Sequence, residues 1–243
     1  MSNDNRTDLA RYFAQISDDL HRARDGMATS ELVTTRAVEV VEAADHCGLT
    51  VRGKRSLHHS EAASSPTARR ADELQSELND GPCIDAAFEQ EDFVISDLQT
   101  ESRWSSWTRG ALDLGIRSAY AVAIRGESGP LGAINFYAES PGAFDDPTER
   151  ALASVYASHA GEALRRSQVV TGLRAALDSR HAIGIAQGVL ATTYGVDYET
   201  AFSILHRYSN DANIKLRDVA QTVLDTGSLP PLEVSATADS DTA

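Results

Sequence analysis

Only two cysteines, Cys47 and Cys83, occur among the 243 residues. Two thiols make no disulfide framework of the kind that staples small secreted domains. No apolar run approaches the roughly 20 residues of a membrane span, and the N-terminus lacks a signal-peptide core. Positive charge is also short: 22 lysines and arginines stand against 36 aspartates and glutamates, a net charge of −14. That excludes binding to nucleic acid or anionic lipid by bulk electrostatics, so any nucleic-acid contact must come from a local surface. The chain has no phosphate-cradling glycine loop, no nucleophile–base constellation and no metal-ligand spacing. His58 and His59 make a poor joint metal site, because neighbours on a strand point to opposite faces. The expectation is a cytoplasmic protein that is not an enzyme and has no metal or cofactor.

What is present is a long helical stretch over 146–193. Asp146 can cap its start, Pro147 suits the first helical position, and Glu149 stands three residues after the cap. Leu152, Tyr156, His159, Ala163, Val170, Leu173 and Leu177 then follow at steps of three and four, apart from one gap spanned by Arg166. Such a heptad seam buries itself against a second helix, most simply that of a second copy. An ordinary amphipathic helix packed on its own domain is the alternative. Gly161, Gly172, Gly184 and Gly188 weaken the stretch by about 1 kcal/mol each relative to alanine, and a break near Gly172 stays open.

Before this stretch the period alternates between helix and strand. Residues 1–29 read as an N-terminal helical segment, with Leu9, Tyr12, Phe13, Ile16 and Leu20 on one face. Ser30 can cap a helix whose buried stripe is Val33, Ala37, Val40, Val41 and Ala44. Cys47, Leu49 and Val51 alternate as a strand, with a returning strand over 56–60 and a surface loop over 61–67. A short helix over 68–78 precedes Asn79-Asp80-Gly81-Pro82-Cys83, a turn that launches another. Strands over 93–97, 117–125 and 131–138 surround a helix over 105–114. Strands with local hairpins, interleaved with helices, give an α+β domain: an antiparallel sheet with flanking helices. Beyond Gly195 the pattern is purely helical. Two short helices need the end of the long one as a third wall, so 171–229 reads as an all-α three-helix domain. The tail over 230–243 reads as disordered.

Two families are resembled. Asp80-Gly81-Pro82-Cys83, Val94–Leu98, Arg103-Trp104, Gly115–Ser118 and Leu131–Tyr137 resemble a GAF sensor domain of the actinobacterial type over 30–165. Ala176–Arg180, Ile183, Ala186–Leu190, Glu199–Phe202, Leu205, Ser209, Asn213, Leu216 and Asp218–Ala220 resemble the ANTAR domain, an RNA-binding antitermination module. Gln187 and Ala191 depart from it where lysine and methionine are frequent. The resemblance implies a homodimeric regulator with a GAF sensor for a small molecule or for none, a coiled-coil-like connector and an ANTAR output. Transcription antitermination on paired stem-loop RNA is the action implied.

Five cations (Arg174, Arg180, Arg207, Lys215, Arg217) face six anions (Asp178, Asp197, Glu199, Asp211, Asp218, Asp225) within 171–229. That balance is unusual for a nucleic-acid binder, and segregation must rescue it. Arg180 and Gln187 share a helix face, and Ser209, Asn213, Lys215 and Arg217 gather at the second interhelical loop, with Arg207 close by in sequence. In this picture the cations take phosphates, while amides and hydroxyls read splayed bases. In the sensor, Cys83 sits in a helix's first turn, where the dipole favours thiolate and a redox or ligand-sensing role is open, with a buried structural cysteine the commoner alternative. Trp104 and Trp107, three apart on a helix, are candidates for the wall of a ligand pocket, with ordinary packing the alternative. Asp97 is expected to form a structural pair near Arg103. The rival functions are a GAF-fold redox enzyme or sensor using Cys83, including a Cys47–Cys83 couple, and a DNA- or protein-binding helical regulator.

Overall fold

The computed structural model describes residues 18–19, 26–52, 58–126 and 129–230. Most of the helix expected around Leu9–Leu20, most of the tail and the His58 and His59 side chains lie outside the described residues. The chain divides into two compact units, 1–171 and 172–243.

The first unit is built on five antiparallel strands: β1 (His46–Arg52), β2 (His58–Ala63), β3 (Phe93–Ile95), β4 (Ser118–Gly126) and β5 (Gly129–Ala138), in the order β2-β1-β5-β4-β3. Its helices are α1 (Gly26–Val40), α2 (Pro66–Leu78), α3 (Pro82–Glu89), α4 (Ser105–Asp113) and the first part of α5 (Pro147–Tyr194). Strand β4 states the design in its sequence. Ala119, Ala121 and Ala123 alternate with Tyr120, Val122 and Ile124, and all six are buried. The large set faces Val33 and Ala37 of α1, Val41 just beyond its end, and Ala153, Tyr156 and Ala160 of α5. On the alanine side, α3 lays Cys83, Ala86 and Ala87 against Ala121, Ala123 and Ala133. Burial on both faces explains why the strand reads as nearly continuous apolar sequence.

Three expectations need correction here. Helix α1 begins four residues before Ser30, which is buried inside it. The neighbouring Thr29 hydroxyl donates to Ser167 of α5 at 3.2 Å, so this part of the helix faces a neighbour and not solvent. The 61–67 segment is not all loop: β2 runs to Ala63, and Ser65 caps α2 by accepting from the Ala68 amide at 3.1 Å. Two seam positions are also taken from within the chain. Tyr156 is fully buried and donates its hydroxyl to the Val33 carbonyl at 2.6 Å, and Ala163 lies in the same core. Packing of α5 on its own sheet outcompetes a seam at those residues.

Gly132 is a backbone requirement. Its φ is +156°, and an added Cβ would lie 2.0 Å from the Thr50 carbonyl oxygen of the paired strand. Gly132→Ala is expected to cost the first unit about 2–4 kcal/mol, read as a fall in its thermal unfolding midpoint.

Candidate functional site

The second unit packs the last part of α5 against α6 (Tyr198–Asp211) and α7 (Leu216–Thr226). Its core is Ala186 and Leu190 from α5, Ala201, Leu205 and Tyr208 from α6, and Val219, Ala220 and Val223 from α7. Asp197 caps α6 by accepting from the Thr200 amide at 2.7 Å, a bond that holds its carboxyl below the usual range. Gly227, at φ +75°, closes α7. The loop between α6 and α7 is closed reciprocally. Ser209 donates its hydroxyl to the Ile214 carbonyl at 2.6 Å, and the Ile214 amide donates back to the Ser209 carbonyl at 3.0 Å.

Two depressions flank the buried stripe of α5. One, of about 770 Å³, is lined by Arg180, Gly184, Gly188 and Tyr198 among others. The other, of about 350 Å³, includes Asp178, Ser179 and Ala182 of α5 with Arg217 and Asp218 of α7. The expected single surface is therefore divided: Arg180 and Arg217 line different hollows. Gln187 lies on the Arg180 face, but its amide donates to the Tyr198 carbonyl at 3.2 Å, so it holds α6 in place. The Ser209 hydroxyl is committed to the loop. Asn213 is exposed and supplies the left-handed turn, at φ +53°. Arg217 pairs with Asp218 at 3.1 Å. Among the described residues, Arg180, Arg207 and Lys215 are exposed and make no ion pair.

The first unit holds a buried polar group that the sequence reading passed over. Asp72 of α2 is 1% exposed and accepts from the Tyr137 hydroxyl at 2.6 Å and the Asn135 amide at 2.9 Å. Gln75 donates to that same tyrosine oxygen at 2.9 Å and accepts from the Cys83 amide at 2.8 Å, tying α3 to the sheet. Asp72 Oδ2, Asn135 Oδ1 and Thr50 Oγ1 are buried without a hydrogen-bond partner. Burial, only partly offset by these bonds, lifts the Asp72 carboxyl to about 7. The available signal was spacing: Ala68, Ala71, Asp72 and Gln75 form one helical stripe, and a polar pair on an apolar stripe marks a buried network.

The expected sensor residues take other roles. Burial pushes the Cys83 thiol up to about 12, so desolvation overrides the helix dipole and the thiolate is not the resting form. Cys47 lies on the large-residue face with Leu49, while Cys83 packs on the alanine face, so the sheet separates the two sulfurs and they form no couple. Trp104 and Trp107 are buried in a core cluster. Their indole N–H groups are already used, donating to Asp85 at 2.7 Å and to the Ala71 carbonyl at 3.1 Å. Both are packed in that cluster, which is the alternative to a pocket wall. Asp97 pairs with Arg117 at 3.2 Å, while Arg103 takes Glu101 and lies over the Trp104 ring. Among the described residues no group of three or more His, Cys, Asp or Glu is placed to hold a metal ion, and no helix is long and apolar enough to cross a membrane.

A family model for the GAF domain matches residues 27–165, and one for the ANTAR domain matches 171–224. The chain belongs to the GAF and ANTAR domain-containing regulators. No curated protein matches it. Among solved structures, the GAF domain of an Acinetobacter phosphoenolpyruvate-protein phosphotransferase is 11% identical with a TM-score of 0.55, covering 71% of this chain and 99% of that one. The GAF domain of the corresponding Coxiella burnetii protein is 15% identical with a TM-score of 0.54, covering 70% and 99%. At such identities the likeness speaks for the fold alone. The GAF assignment makes the first unit a sensory domain, and the ANTAR assignment makes the second an RNA-binding regulatory domain.

Asp72 gives the GAF domain a measurable signature. The folded state keeps a proton up to about pH 7 that the unfolded chain loses near 3.8. Its contribution is therefore full below pH 3.8 and falls as pH rises to about 7, by at most about 1.4 kcal/mol per pH unit. Unfolding midpoints of the wild type and Asp72→Asn are expected to differ by a pH-dependent amount between pH 5 and 7, with the wild type losing ground as pH rises.

Proposed function

We propose that this regulator acts in the cytoplasm as a homodimer that binds an RNA carrying two neighbouring stem-loops and thereby prevents a transcription terminator from forming. The GAF domain would receive a small-molecule signal. The observation that carries the reading is the unpaired, exposed Arg180 in a depression lined by no carboxylate, within a chain of net charge −14. Arg207 and Lys215, also exposed and without an ion pair, supply further positive charge for phosphates.

The dimer reading keeps the part of the seam that the chain does not bury itself. Leu173 and Leu177 are 61% and 65% exposed, Val169 is exposed, and His159 is open to solvent. Leu152 and Val170 are half-buried. Large apolar side chains at three- and four-residue steps on a helix surface are the pattern that a second helix covers. Two modest RNA sites on one dimer gain affinity through effective concentration.

Gel shifts with a two-stem-loop RNA test both halves. Arg180→Ala with Lys215→Ala is expected to weaken binding about tenfold or more and to flatten the salt dependence of the affinity, with log–log slope reduced by about 1–2. Unchanged binding removes these residues from the site, and equal competition by matched DNA removes the RNA preference. Leu173→Asp with Leu177→Asp is expected to give a monomer in sedimentation, folded by circular dichroism, with weakened RNA binding.

A further inference from the structure

We infer that the groove between α5 and Tyr198 is a stacking seat for one unpaired RNA base, with Tyr198 as its platform and Arg180 as the phosphate contact. The inference rests on the RNA-binding reading above and names a residue and a ligand element within it.

Tyr198 is the first residue of α6 and is 57% exposed, yet it is held at two points. Its hydroxyl donates to the Gly184 carbonyl at 2.8 Å, and its own carbonyl accepts from Gln187 at 3.2 Å. An aromatic ring fixed in place but open to solvent gives up little further freedom when something flat lies on it.

Gly184 and Gly188 point the same way. Each costs a helix interior about 1 kcal/mol relative to alanine. Packing within the chain does not require either: nothing lies within 4 Å of a Cβ added at Gly184, and at Gly188 the one neighbour is the Tyr198 hydroxyl at 3.7 Å. What the two glycines do is keep the groove open beside the ring. Its volume of about 770 Å³ falls in the range of small-molecule sites.

Charge decides the occupant. The lining carries the Arg180 guanidinium and the His181 imidazole and no carboxylate. A flat aromatic body with an attached anion matches a ring, an open apolar floor and a guanidinium, and a nucleotide in an unpaired loop is such a body. A second copy of the same helix seated here would set Arg180 against its own like charge.

The test uses the full chain, a two-stem-loop RNA with purine loops and 2-aminopurine in one loop, and a fully paired RNA duplex of equal length. The wild type is expected to bind the stem-loop RNA in preference to the duplex and to quench the probe. Tyr198→Ala is expected to lose about 5- to 150-fold in affinity together with the quench, and Tyr198→Phe to retain the quench. Gly184→Val, which fills the groove without touching charge or ring, is expected to lose affinity as well, and it stands in if Tyr198→Ala does not fold. Wild-type affinity in folded Tyr198→Ala or in Gly184→Val overturns the seat while leaving RNA binding intact. A change of oligomeric state in Tyr198→Ala overturns it in favour of a second copy. Failure of the wild type to bind any RNA overturns the underlying reading itself.

Discussion

The sensor domain depends on the alternation of alanine with large side chains along β4. One face of the sheet is bulky and takes α1 and α5 at the distance that Tyr120, Val122 and Ile124 impose. The other is nearly flat, and α3 comes down onto it alanine to alanine. Close approach on that face is what strips water from Asp72, Asn135 and Tyr137. A small residue admits the polar network: a Cβ added at Gly48 of β1 would lie 2.1 Å from the Asp72 carboxylate. The cost of the network is offset only in part by the hydrogen bonds shared among Tyr137, Gln75 and the Cys83 amide, since Asp72 Oδ2 and Asn135 Oδ1 stay without a partner.

Much of this was legible in the chain. The stripe Val33–Ala44, the β4 and β5 alternation, Pro82 at a helix start and the Asp146–Pro147 signal are local, and local physics writes them directly into sequence. The places where reading failed are those where a distant partner decides. Tyr156 fits a heptad as well as it fits a core, and only the Val33 carbonyl from another helix tells the two apart. The tryptophans look like pocket walls until Asp85 and the Ala71 carbonyl claim their N–H groups. For Cys83 the chain left both a helix-terminus thiolate and a buried thiol open, and its burial decides for the second.

In the ANTAR domain the same divide recurs. Caps and apolar faces were visible, and so were the exposed cations. Their distribution over two sides of α5 was not, because it depends on how α7 is placed against Asp178 and Ala182. Nor was the double hold on Tyr198, which needs a carbonyl fourteen residues away in sequence. A near-neutral domain within an acidic chain can still present a positive face where its carboxylates are occupied at helix starts, as that of Asp197 is.

The burial of both sulfurs has a practical side. With Cys47 and Cys83 sealed on opposite faces of one sheet and both held in the thiol form, neither sulfur is a ready target for thiol-directed oxidants or alkylating reagents. By the same token, a thiol introduced on the surface stands alone, and a fluorophore or spin label attached there would report from a single known position.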